Sequence, residues 1–122
     1  MRLILEEESR IRLEMAGGDF EIISGRFSLS PYHLLGASLA SCAALMIASW
    51  AESAAIPIEA LTIVVSWQMT EGGSKRIAQL EMELRWPGLS SGRLGAVNRL
   101  VDLCPIHATL QQGAEISRRI VS

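Results

Sequence analysis

The sequence predicts an α+β domain with antiparallel sheet and segregated helices, in the order βββ-α-ββ-αα-β. Three observations carry this. Residues 10–15 and 61–86 alternate apolar and polar side chains, the period of half-buried strands. Between them runs SPYHLLGASLASCAALMIASWAESAAI, from Ser30 to Ile56, with no charged side chain between His33 and Glu52. As a helix rising 1.5 Å per residue, that uncharged run spans roughly 27 Å. After Pro87-Gly88 the period becomes helical again, with Leu94, Val97, Leu100 and Val101 on one side.

Residues 2–8 read as a short strand. Arg10 to Met15 sets Ile11, Leu13 and Met15 on one face and Arg10, Arg12 and Glu14 on the other. Ala16-Gly17-Gly18-Asp19 is a turn signal, and Phe20-Glu21-Ile22-Ile23 returns as a third strand. Residues 24–29 link this meander to the central helix. Ser30 suits its N-cap and Pro31 its first position, where no donor is lost; Pro57 marks its end.

About 18 uncharged residues are near the lower limit for a membrane span. Ser38, Ser41, Ser49 and Gly36 dilute the run, and no Lys/Arg cluster flanks it, so a long buried core helix outside any membrane is expected. Gly36, Ala40, Ala44 and Ala48 recur every four positions, a stripe on which sheet or helix can approach closely.

Leu61, Ile63, Val65, Trp67 and Met69 form one face of a strand. Glu71-Gly72-Gly73-Ser74-Lys75 turns the chain, and Ala78, Leu80, Met82, Leu84 and Trp86 mark the inward face of its hairpin partner. Ser90 or Ser91 can cap the next helix. Cys104-Pro105 interrupts it, because proline biases Cys104 away from helical geometry and suits the first position of a second helix, which runs to Gly113. Glu115 to Val121 reads as a final strand.

The 122 residues, 49% hydrophobic, suit a single domain over 1–122 with its own core. A net charge of −2 without a basic cluster argues against nucleic acid as a partner. MRLILEEESR lacks a continuous apolar h-region, so a cytoplasmic location is expected. Two cysteines are too few for a disulfide-built scaffold; they are inert core thiols or a redox pair.

Their settings differ. Cys104 stands at a helix N-terminus, where the dipole favours thiolate, whereas Cys42 lies inside an apolar helix, where burial raises a thiol's pKa. His107 follows Cys104 by three residues on one helix face, but two ligands make no structural zinc site, and no metal or cofactor is implied. Trp50, Trp67, Trp86, Met46, Met69 and Met82 read as core. Glu52 would lie about 15 Å along the helix from Cys42, too far to touch it.

Ser30-Pro31-Tyr32-His33-Leu34-Leu35, Ala37-Ser38-Leu39-Ala40-Ser41-Cys42, Ala51-Glu52 and Ile56-Pro57-Ile58-Glu59 together resemble the central helix of the OsmC/Ohr family. Cys104-Pro105-Ile106-His107 resembles its second cysteine motif, CP[VI]H. The resemblance covers residues 30–122, with the first meander agreeing in pattern only. It implies an OsmC-like fold, an intertwined homodimer built around paired central helices, and thiol sites near the subunit interface. It further implies that Cys42 attacks an organic hydroperoxide as thiolate, that Cys104 resolves the sulfenic acid as a disulfide, and that an external dithiol reductant restores the pair.

In that family an arginine near the thiol is held by a carboxylate just after the proline of the helix start. Tyr32 and His33 occupy those positions here, and neither is acidic. Arg10 is the candidate arginine, on the strength of the family's first strand connection, with Arg26 a second by location. His33 either hydrogen-bonds near the site or caps the first helical turn. The missing acid motivates an alternative: a catalytically weak or inactive OsmC-fold dimer that binds a small apolar ligand or partner.

Overall fold

The computed structural model describes residues 1–6, 10–23 and 30–122; for Arg10 and residues 20–23 it describes the backbone. Two compact units emerge, Met1–Leu35 and Gly36–Ser122.

The first unit holds an antiparallel meander in which β1 (Arg2–Leu5), β2 (Arg10–Met15) and β3 (Gly18–Ile23) are neighbours in chain order. The register sets Leu3 opposite Leu13 and Leu5 opposite Ile11, so the odd-numbered apolar residues share a face. Arg2, Arg12 and Glu14 take the other face. There the Arg12 guanidinium gathers Glu6 at 2.7 Å, Glu14 at 2.9 Å and Asp19 at 3.0 Å. Hydrogen bonds donated to Glu6 and then Asp19 hold Arg12 above its ordinary pKa. β1 ends at Leu5, and residues 7–9, expected to finish it, lie outside the described residues, as does the linker 24–29.

The central helix α1 spans Pro31–Ser53. Its start closes on itself: Ser30 Oγ accepts the backbone N–H of His33 at 3.4 Å, while His33 Nδ1 accepts the Ser30 N–H at 3.1 Å and lies 2.8 Å from Ser30 Oγ. This is a capping box with histidine in the reciprocal position usually held by Glu or Gln. The helix stops before Pro57 is reached. Ala55 takes φ 53°, the Ala55 N–H bonds Glu52 O at 3.2 Å, and the Ile56 N–H bonds Ala51 O at 2.8 Å. That pair of bonds is a Schellman motif, with alanine in the left-handed position that glycine usually fills.

Burial of α1 is one-sided. Gly36, Leu39, Ala43, Ile47 and Ala51 form its buried stripe, whereas Leu45 is 73% exposed. The expected small-residue stripe of Gly36, Ala40, Ala44 and Ala48 is therefore displaced: those three alanines are only half-buried, and after Gly36 the buried positions each fall one residue earlier, at Leu39, Ala43 and Ile47. Gly36 does allow a close approach: a Cβ there would stand 3.3 Å from Val65 Cγ1 and 3.6 Å from Trp67 Cζ3. Among the described residues, α1 is long and apolar enough to cross a membrane by length and composition.

In the second unit, β4 (Thr62–Met69) and β5 (Ile77–Arg85) form the expected hairpin, with Ile63 opposite Leu84, Val65 opposite Met82 and Trp67 opposite Leu80. Trp50 meets Trp86 edge to face at 6.4 Å, a contact worth about 1 kcal/mol beyond area burial. Trp86 Nε1 donates to Pro57 O at 3.2 Å. A 3₁₀ turn at Ser91–Arg93 leads into α2 (Leu94–Asp102) without a side-chain cap from Ser90. Val97 is buried, but Leu94, expected inward, is 58% exposed. α3 spans Pro105–Gln112 and closes at Gly113, φ 78°.

Among the described residues the final strand expected over 115–121 does not form: the segment pairs with none of the described strands, and Ile116 and Ile120 are more than nine-tenths exposed. A strand needs a ladder partner, and alternation encodes two faces without supplying one.

Candidate functional site

Cys42 lies within α1 and Cys104 just before α3; both are free thiols. Cys42 is half-buried and Cys104 fully so. Cys104 nevertheless lies near enough to Cys42 to act on its ionisation. Both lie inside the second unit.

Local sequence explains how Cys104 arrives there. Pro105 holds the first helical position, leaving Cys104 in extended geometry (φ −61°, ψ 120°) as the N-cap. Its sulfur accepts the backbone N–H of His107 at 3.5 Å. The Cys104 N–H bonds Val101 O at 3.1 Å, which ties the cap to the last turn of α2. The His107 ring places Nδ1 3.5 Å from the same carbonyl. On the other sulfur, the backbone N–H of Ile106 points to Cys42. Consecutive amides of one helical turn thus serve the two thiols. Backbone donors are invisible in residue types, although Cys-Pro foretold the N-cap.

The Cys42 thiol is pushed above its ordinary pKa, first by its hydrogen bond with Cys104. The Ile106 N–H works in the opposite direction, followed by burial and the charge on Cys104, which both raise it.

The Arg10 backbone pairs with Ile23 in the first sheet, but its side chain, like the whole of Arg26, lies outside the described residues. His33 caps the first turn of α1 with Ser30. Tyr32 is 37% exposed. Among the described residues no group of three His, Cys, Asp or Glu could hold a metal ion.

Residues 24–118 match the family described as OsmC-like protein. A comparison with curated proteins finds no match. Among solved structures, a protein from Psychrobacter arcticus 273-4, named for an osmotic-stress and detoxification response, superposes with a TM-score of 0.75 at 19% identity, covering 88% of this chain and 85% of that one. An OsmC-like protein from Mycoplasma pneumoniae superposes with a TM-score of 0.71 at 19% identity, covering 90% and 84%. At these identities the likeness establishes the fold, and the family match covers most of the chain, including both cysteine motifs. The chain belongs to the OsmC-like family.

Proposed function

We propose that the protein reduces organic hydroperoxides through the Cys42/Cys104 pair. The influence of Cys104, at the α3 N-cap, on the ionisation of Cys42 in α1 carries this reading. The Cys42 thiolate attacks the outer peroxide oxygen; the O–O bond breaks, the alcohol leaves with a proton, and Cys42 becomes a sulfenic acid. The Cys104 thiol then displaces water from that sulfur, forming the disulfide. An external dithiol returns two electrons and two protons. Partial exposure favours Cys42 as the attacking sulfur, and burial favours Cys104 as the resolving one. Arg10 is the residue we assign to assist ionisation of Cys42.

We place this reaction in the cytoplasm and in a homodimer. Leu45 on α1 and Ile116, Ile120 and Val121 in the C-terminal segment expose apolar surface that a second copy would cover. Sedimentation of the purified chain distinguishes dimer from monomer. Consumption of cumene hydroperoxide in the presence of a dithiol, abolished by Cys42→Ser, tests the chemistry.

A second reading rests on a different observation. A groove of about 540 Å³ lies between β5 and α2, lined by Met82, Leu84, Trp86, Leu94, Val97 and Val101. A mainly apolar concavity of this size suits a small apolar ligand. If the pair turns over no hydroperoxide, binding in this groove is the function to pursue, and Trp86 fluorescence reports it.

A further inference from the structure

Reduction of a disulfide by a thiol has a direction: one sulfur is attacked and the other leaves. The two sulfurs here are far from equivalent. Cys104 is 0% exposed, packed between the end of α2 and the start of α3, while Cys42 retains access to solvent. Cys104 also has a receiver for negative charge, since the His107 N–H already points at its sulfur from the first turn of α3. A sulfur at that position leaves toward a preformed donor and the positive end of a helix dipole.

Resting on the proposed hydroperoxide reductase reading, we propose that the incoming reductant thiolate attacks Cys42 Sγ, and that Cys104 departs as a thiolate received by the His107 backbone N–H. The step balances simply. The reductant S–Cys42 S bond forms as the Cys42–Cys104 bond breaks, and the bonding pair leaves on Cys104, which later takes a proton. The second thiol of the reductant then attacks its own sulfur in the mixed disulfide, releasing Cys42 as thiolate and the reductant as a disulfide. His107 is a positioning residue here and acts through its main chain. The reductant accordingly enters the pair through the partly exposed Cys42 and not through the buried Cys104.

The test uses the intact chain oxidised with diamide, which makes the disulfide without any hydroperoxide turnover. Brief exposure to glutathione, acid quenching and mass mapping locate the mixed disulfide. Glutathione should sit on Cys42 in about tenfold excess over Cys104, as access and leaving-group stabilisation both require. Glutathione equally shared or mainly on Cys104 would overturn the inference, as would failure of diamide to link the cysteines. Semisynthesis supplies the second arm: a segment 104–122 joined at Cys104, carrying the α-hydroxy acid analogue of His107, replaces the N–H by oxygen. Reduction by dithiothreitol should slow several-fold relative to the ligated amide control, with Cys42 still the sulfur attacked. An unchanged rate would refute the role of the His107 amide. If glutathione maps to Cys42 but hydroperoxide is not consumed, the reductase reading fails and the direction of attack stands.

Discussion

Cys104, at the N-cap of α3, is the main influence holding Cys42 of the central helix above its ordinary pKa, while the Cys104 sulfur itself accepts the His107 backbone N–H at 3.5 Å. The ionisation of Cys42 therefore depends on Cys104. Its consequences for pH follow from the direction in which Cys42 is shifted.

Cys42 is raised, chiefly by Cys104, so its alkylation should remain slow near neutrality and accelerate as pH climbs past the ordinary thiol range. In Cys104→Ala the largest cause is gone, and Cys42 should react several-fold faster at neutral pH. For stability the sign is fixed by linkage. A thiol whose folded pKa exceeds its unfolded one contributes stability below the unfolded value, and that contribution is lost as pH rises through the folded one. Denaturant melts of the wild type and Cys104→Ala at alkaline pH, compared with neutral pH, measure this loss, which should be smaller in the variant.

Ala55→Gly should stabilise the fold by about 0.5–1 kcal/mol. Ala55 holds the left-handed position of the Schellman motif at φ 53°, a conformation that costs a residue with a Cβ about 1–2 kcal/mol, partly offset by glycine's freer unfolded chain. A urea midpoint that shifts upward confirms it.

Ser30→Ala should cost about 1 kcal/mol, because it removes the acceptor for the His33 N–H at the start of α1. His33→Ala should cost less, since Ser30 Oγ can still accept from the residue 33 backbone. Thermal melts of the two variants give the order.

Gly36→Val should destabilise by about 1–3 kcal/mol through overpacking, because even a Cβ at this position meets Val65 Cγ1 at 3.3 Å. Pairing it with Val65→Ala should recover part of the loss, which a double-mutant cycle reads directly.

Much of this architecture can be read from side chains. Ser30-Pro31 announces the helix start, and strict alternation announces β4 and β5 to within two residues, because caps and strand faces are written in residue types. What depends on the backbone or on a neighbour is silent. Ala55 carries no mark of a positive φ, so the helix end was expected from Pro57 rather than from the motif that forms it. Residues 115–121 alternate like a strand, yet alternation specifies faces and not a partner, and the segment pairs with none of the described strands. The all-apolar central run suggested burial on every side, whereas only the stripe through Leu39, Ala43 and Ile47 is covered. The site divides the same way. Both cysteines were visible through their motifs, and Cys104 as an N-cap through Pro105. The amides of Ile106 and His107 were not, since every residue but proline owns one.

The most direct test of the account is thiol mapping after the reduced protein meets a stoichiometric amount of cumene hydroperoxide. The account predicts loss of the peroxide together with an intramolecular Cys42–Cys104 disulfide, and in Cys104→Ser a sulfenic acid trapped on Cys42. Undiminished peroxide with both thiols still free to alkylate would contradict it.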